Sequence, residues 1–488
     1  MSLIQITDLT FAYEGSFDNI FEHVNLQLDS TWRLGLTGRN GRGKTTLLRL
    51  LMGELEYQGK ISATVDFAYF PYDVKDIHLT AGEVACSLCP EVQTWEILRE
   101  LSLLDVAEEV LDRPFSTLSG GQRTKILLAA LFLGENRFLL IDEPTNHLDL
   151  EGREAMTRYL RKKQGYILVS HDRAFLDGCV DHILSINKAD IEVQKGNFTT
   201  WWENKQRQDT FELEQNEKLK KEVKRLEQTA REKSSWSDRT EREKWGGGCA
   251  DRGYVGHKAA KMMKRSKVIE RRAQAAMEEK AALLKNLDVA SELKLWPLKH
   301  HADTLVTLGG VTAHYGEVRG CLDVDLTVRQ GERIALRGKN GCGKTTVLKL
   351  IYGKEISFTG TLKKASGMKI SYVSQDTSDL RGDLSEYARR YGIDESLFKT
   401  ILRKFGFLRD QFTKNMENFS GGQKKKVLIA RSLCEKAHLY IWDEPLNYID
   451  VLSRMQIEEL LLEYQPTLLF VEHDKLFCDK IATKTVML

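Results

Sequence analysis

The chain contains no apolar run approaching the ~18 residues that a membrane-crossing helix requires. Its first residues, Met1-Ser2-Leu3-Ile4-Gln5, enter a strand-like segment directly, without the charged and apolar regions of a secretory signal. An integral membrane protein and a secreted one are both excluded as expectations, and the chain is expected to be cytoplasmic. It also has few cysteines in a usable pattern. Of the eight, Cys86 and Cys89 form a single CxxC, and no second pair or nearby histidine completes a metal site. They read as small buried residues of a reducing compartment. Nor is there a global excess of one charge: the formal net charge is +2.

What is present is a repeat. Gly38-Arg39-Asn40-Gly41-Arg42-Gly43-Lys44-Thr45-Thr46 recurs as Gly338-Lys339-Asn340-Gly341-Cys342-Gly343-Lys344-Thr345-Thr346. Ser119-Gly120-Gly121-Gln122 recurs as Ser420-Gly421-Gly422-Gln423, Asp142-Glu143-Pro144 as Asp443-Glu444-Pro445, and His171-Asp172 as His473-Asp474. Four elements in one order, twice, leave little room for chance. A strand-like segment leads into each glycine-rich loop, and helical apolar spacing follows it. Phe138-Leu139-Leu140-Ile141 and Leu439-Tyr440-Ile441-Trp442 are short apolar runs that suit strands covered on both faces. The pattern predicts two α/β domains, residues 1–202 and 303–488, each with a mostly parallel sheet.

The glycine-rich loops can close backbone N–H groups around phosphates, with Lys44 and Lys344 reaching the β- and γ-phosphates. The hydroxyls of Thr45 and Thr345 then hold Mg²⁺ opposite Asp142 and Asp443. Glu143 and Glu444 directly follow those aspartates, where a carboxylate can orient and deprotonate an attacking water.

The segment between the repeats, 203–302, differs from both. Between Lys205 and Arg272 it carries 20 Lys/Arg against 12 Asp/Glu. Leu219, Val223, Leu226 and Ala230 follow coiled-coil seam spacing, and Met262, Ile269, Ala273, Ala276, Leu283 and Leu287 supply a second seam. Trp245-Gly246-Gly247-Gly248 breaks helix between them. The expectation is an antiparallel α-helical hairpin linker with an irregular tip near 234–257. Lys258, Lys261, Lys264 and Arg265 form a cluster suited to a phosphate backbone, and Trp236, Trp245 and Tyr254 could stack on exposed bases. A solvated spacer is the competing reading of the same residues.

The Ser-Gly-Gly-Gln segments resemble the signature motif of ATP-binding-cassette ATPases, so the cofactors implied are ATP and Mg²⁺. In that resemblance Tyr13 and Tyr315 stack on adenine, Asn146-His147-Leu148-Asp149 and Asn447-Tyr448-Ile449-Asp450 are D-loops, and His171 and His473 contact the γ-phosphate. Gln375 occupies the Q-loop position beside Mg²⁺ in the second repeat, whereas the first has Tyr72, so the two sites are expected to turn over unequally. The resemblance implies a head-to-tail intramolecular sandwich in a monomer, pairing Lys44 with Ser420 and Lys344 with Ser119.

Two cassettes on one chain with a basic helical linker resemble the ABC-F family. This implies binding to the bacterial ribosome, with the linker near large-subunit rRNA and P-site tRNA, and no transmembrane or DNA partner. The run from His257 to Arg265 resembles the Lsa- and Vga-like antibiotic-resistance members, which act against lincosamides, pleuromutilins and streptogramin A. Lys44 to Ser119 spans 75 residues and Lys344 to Ser420 spans 76, which leaves no room for an arm insertion. The sequence ends at Leu488, shortly after His473, so no C-terminal extension is expected, and both expectations point the same way. An ABC-F factor that regulates translation without any drug is the alternative, and the ATPase subunit of an exporter a remoter one.

Overall fold

The computed structural model describes residues 3–14, 19–146, 148–187, 190–243, 293–315, 318–339, 341–407 and 409–488, with 261, 263, 264, 267–269, 271 and 272. Two compact units result, one of 1–186, 191–199 and 290–488, the other of 187–190 and 200–289. Both repeats therefore belong to one unit.

In the first repeat the strand Arg33–Thr37 lies between Tyr166–Val169 and His182–Ile186, in a six-stranded sheet whose neighbours are parallel except for the edge strand Ile191–Lys195. The second repeat places Arg333–Arg337 in a five-stranded, wholly parallel sheet. A three-stranded antiparallel sheet accompanies each, built on Leu3–Phe11 and on Thr304–Tyr315. The α/β expectation holds, and the reason is visible along one strand. Every residue of Leu439–Asp443 is buried. Alternate side chains of a strand point to opposite faces. Leu439 and Ile441 accordingly enter a core with Leu308, Ile334 and Val347, while Tyr440 and Trp442 enter another with Phe398, Phe405 and Phe470. A strand with two buried faces reads as a continuous apolar run, which is how it stands in the sequence.

The linker begins with one helix, Phe198–Glu243, of 46 residues. At 1.5 Å per residue it extends about 69 Å. This corrects the expected tip, because the helix runs through Ser234-Ser235-Trp236-Ser237 to Glu243. Serine costs a helix only a few tenths of a kcal/mol, and these serines are flanked by good helix formers. The first strong breaker is the glycine run at 246–248. Trp236 is thus a helical residue. Lys261 and Lys264 are helical and exposed. Trp245, Tyr254, Lys258 and Arg265 lie outside the described residues, as does the expected pairing of the two linker helices. No described helix is long and apolar enough to cross a membrane.

Candidate functional site

Each glycine-rich loop joins the C-terminal end of a central strand to a helix, Lys44–Leu51 or Lys344–Tyr352. Gly43 and Gly343 cap these helices in the left-handed region, at φ 91° and 97°. A side chain is excluded as well as strained there, since a Cβ on Gly343 would lie 2.0 Å from the Gly320 carbonyl oxygen. The loop lysines are buried and turned inward. Lys44 Nζ donates to Gly38 O at 2.7 Å and to Asn40 Oδ1 at 3.2 Å. Lys344 Nζ donates to Gly338 O at 2.8 Å and Lys339 O at 2.9 Å. Burial lowers the Lys44 pKa, against the opposing pull of Asp450 and Glu143.

Thr45 Oγ1 donates to Asp142 Oδ2 at 2.9 Å, and Thr345 Oγ1 to Asp443 Oδ1 at 3.2 Å. Asp443 Oδ2 is buried and accepts no hydrogen bond. Burial raises both aspartates, Asp443 to about 6. A buried, orphaned hard oxygen beside a threonine hydroxyl suits a small divalent cation.

Glu143 and Glu444 both adopt left-handed backbone, at φ 52° and 46°. Such a conformation costs a non-glycine residue about 1–3 kcal/mol and is characteristic of sites where a side chain must be aimed. It turns each carboxylate toward a histidine. His171 Nε2 lies 3.3 Å from Glu143 Oε1, and His473 Nε2 lies 3.5 Å from Glu444 Oε1. Beyond this the two copies diverge. Glu444 Oε2 accepts from Gln375 Nε2 at 2.8 Å and Asn447 Nδ2 at 2.7 Å. Desolvation of Glu444 is more than offset by the His473 and Gln375 contacts, and its pKa is lowered. Glu143 Oε1 is buried without a hydrogen bond, and burial together with Asp142 pushes the Glu143 carboxyl up to about 8. Tyr72 is 41% exposed and provides no counterpart to Gln375.

Two cavities bring the repeats together. One, of about 470 Å³, is lined by Tyr13, Lys44, Thr45, Glu143 and His171 from the first repeat and by Ser420, Gly421, Gly422 and Tyr448 from the second. The other, of about 1090 Å³, has Lys344, Thr345, Gln375, Glu444 and His473 facing Ser119, Gly120, Gly121 and Gln122. The serines are helix N-caps in capping boxes with Gln122 and Gln423, so each helix presents its N-terminal dipole end to its cavity. Across the smaller cavity Asn40 Nδ2 donates to Tyr448 O at 2.8 Å. The Tyr13 hydroxyl is 3.0 Å from Thr46 Oγ1. His147, Asn340 and the Tyr315 side chain lie outside the described residues.

Gly422 is small because the D-loop passes over it. A Cβ there would approach Tyr448 O to 2.5 Å and Asn40 Nδ2 to 3.2 Å. Gly422→Ala should therefore displace the carbonyl that Asn40 uses, at an overpacking cost of about 1–3 kcal/mol. The expected result is weaker nucleotide binding at the smaller cavity together with an unfolding midpoint lowered by a few degrees, read by equilibrium dialysis and thermal melting.

Sequence reasoning missed several supporting residues. Arg153 Nη1 donates to Asp172 Oδ2 at 2.9 Å and Arg454 Nη1 to Asp474 Oδ2 at 3.3 Å, fixing the helices after the switch histidines. Both arginines stand four residues after a D-loop aspartate, a repetition that could have signalled them. Asn447 was within the D-loop motif but had no role there.

The family described as ABC transporter matches residues 21–146 and 321–447. The ribosome protection protein VmlR of Bacillus subtilis is 29% identical over 501 residues, covering 99% of this chain and 86% of its own. The probable ATP-binding protein YheS of Escherichia coli O6:H1 is 29% identical over 500 residues, covering 93% and 74%. The ATP-binding protein Uup of Caulobacter vibrioides is 28% identical over 483 residues, covering 96% and 74%. In fold, the chain resembles archaeal ribosome recycling factor aABCE1, solved with ribosomal stalk protein aP1. The TM-score is 0.63 at 20% identity, covering 98% of this chain and 87% of that one.

Proposed function

This chain belongs to the ABC transporter family as an ABC-F ATPase with both cassettes in one polypeptide, and from that premise we propose that it is a ribosome-protection factor. ATP binds in the two composite cavities, each nucleotide bridging one repeat's phosphate loop and the other's signature serine. Lys44 and Lys344 neutralise the β- and γ-phosphates. Thr45 with Asp142, and Thr345 with Asp443, would hold Mg²⁺, which would supply charge stabilisation for phosphoryl transfer. Glu143 and Glu444 take the proton of the attacking water, and His171 and His473 orient the γ-phosphate. Closure requires ATP, because only its γ-phosphate satisfies the facing helix N-terminus.

In the closed state the protein binds the bacterial ribosome at the tRNA exit site. Its linker then lies near P-site tRNA and large-subunit rRNA, and relieves inhibition by lincosamides, pleuromutilins and streptogramin A. Hydrolysis releases it. The observation that carries this reading is the linker: a 46-residue helix followed by exposed cationic positions at Lys261, Lys264, Lys267, Arg271 and Arg272. A long arm bearing exposed positive charge fits a phosphate-rich target. VmlR, similar along 99% of this chain, is itself named a ribosome protection protein. YheS and Uup, nearly as similar, are named only as ATP-binding proteins, and a translation-regulating factor without a drug-resistance role is the second reading.

Cosedimentation of the Glu143→Gln/Glu444→Gln variant with ribosomes tests the proposal. Binding with ATP that is lost without it, and weakened by salt, is the expected result. Recovery only with DNA or membranes would overturn it. Expression in a drug-sensitive bacterium separates the two readings: growth on a lincosamide or pleuromutilin supports protection, and unchanged sensitivity supports regulation.

A further inference from the structure

The two halves of the cassette unit are not in equivalent states, and one repeated lysine marks the difference. Lys125 and Lys426 each stand six residues after a signature serine, one turn into the signature helix. Lys426 is buried. Its Nζ donates to Asp450 Oδ2 at 2.7 Å and to Phe405 O at 2.8 Å. Asp450 is the last D-loop residue and also caps the following helix through Ser453 N at 2.9 Å. The signature helix and D-loop of that half are thus tied together beneath the smaller cavity. Tyr448, two residues before Asp450, is where the D-loop meets Asn40 of the opposite phosphate loop.

Lys125 and Asp149 occupy the same two positions in the other half without that tie. Both line the larger cavity. Asp149 Oδ1 caps its helix through Gly152 N at 2.9 Å, and no hydrogen bond joins the pair. The cavity extends past them to Asp105 and Val110, which accounts for part of its greater size. The same two side chains therefore exist once as a buried ion pair and once as separate groups lining an open cavity.

We infer that Lys125 is a positioning residue: when the larger cavity closes on ATP, its ammonium pairs with Asp149 as Lys426 does with Asp450, and this holds the D-loop against the opposite phosphate loop. The inference rests on the composite-site reading above. Its physical basis is dielectric. Across a solvent-filled cavity the attraction between two unit charges is strongly screened, and expulsion of water at closure strengthens it several-fold. The pair therefore forms with closure rather than before it, and stabilises the closed state selectively. The open state loses little when Lys125 is replaced, because there Lys125 makes no hydrogen bond or close ion pair and feels only the longer-range attraction of Asp105 and Asp149.

The test uses the full chain with Glu143→Gln and Glu444→Gln, which keeps bound ATP intact. After removal of free nucleotide this parent should retain about two ATP per chain, and with Lys125→Met about one, because only the closed state traps nucleotide. Lys125→Arg should restore the second, since guanidinium also pairs with a carboxylate. The unfolding midpoint without ATP should be the same in all three. On the hydrolytic background, Lys125→Met should raise the half-saturating ATP concentration more than it lowers maximal turnover. Retention of both nucleotides by Lys125→Met, or failure of arginine to rescue, would overturn the inference. A parent retaining no ATP would instead overturn the composite-site reading.

Discussion

Glu444→Gln should lower ATP turnover at pH 7 by about tenfold, Glu143→Gln by less than twofold, and the double variant by about 10²–10⁴-fold. The inequality follows from how each carboxylate is held. A general base must be ionised. Glu444, contacted by His473, Gln375 and Asn447, has a lowered pKa and is ionised throughout the neutral range. Glu143 is buried beside Asp142 and is pushed up to about 8. At pH 7 only about a tenth of it is ionised, one pH unit below its pKa. In the Glu444→Gln variant, where Glu143 alone works, activity should rise about tenfold per pH unit below 8 and flatten above it. Turnover of the Glu143→Gln variant should change little from pH 7 to 9. Phosphate release measured across that range decides the matter. Equal losses in the two single variants, with parallel pH profiles, would refute the division of labour.

Glu458→Ala should weaken ATP-dependent closure by about 10²–10⁴-fold, whereas Glu154→Ala should change it by less than about threefold. Both glutamates meet a cation of the opposite repeat. Glu458 is fully buried and pairs with Arg173, which is 11% exposed, and with Lys480 at 3.1 Å. Glu154 lies 3.6 Å from Lys475, and both are about half exposed. Removing a buried partner leaves a guanidinium without compensation, at a cost of about 3–5 kcal/mol. The protein can escape that cost by letting the repeats part and water reach Arg173. The loss should therefore appear as weaker closure rather than as unfolding. The exposed pair is already hydrated, so its loss changes little. Distance between fluorophores on the two repeats, followed during ATP titration, measures both variants. Comparable effects would show that burial does not set the strength of these contacts.

Much of the architecture was legible because it is written locally. A phosphate loop is a few consecutive residues whose glycines accept positive φ. A signature is a capping box in which Ser119 and Gln122 find each other three residues apart. The strand Leu439–Asp443 announces its two buried faces by an unbroken apolar run. The Tyr72 departure was equally plain as a sequence difference. The linker was harder. Its seam spacing indicated helix, but the serines at 234–237 read as an end, where small propensity costs are outweighed by well-formed turns on either side.

The sequence by itself determined that there are two ATP-hydrolysing cassettes, where their glycine-rich loops and signature serines stand, and that a basic helical segment separates the cassettes. Each of these depends on neighbours within a few residues or on a motif repeated whole. Only the tertiary structure decided that Lys426 is paired while Lys125 is not, that Arg173 reaches Glu458 across 285 residues, and that Glu143 and Glu444 differ in acidity. The strength of a charge interaction depends on how much water remains around it. That is a property of the assembled fold, and two identical motifs can be placed by it in different surroundings.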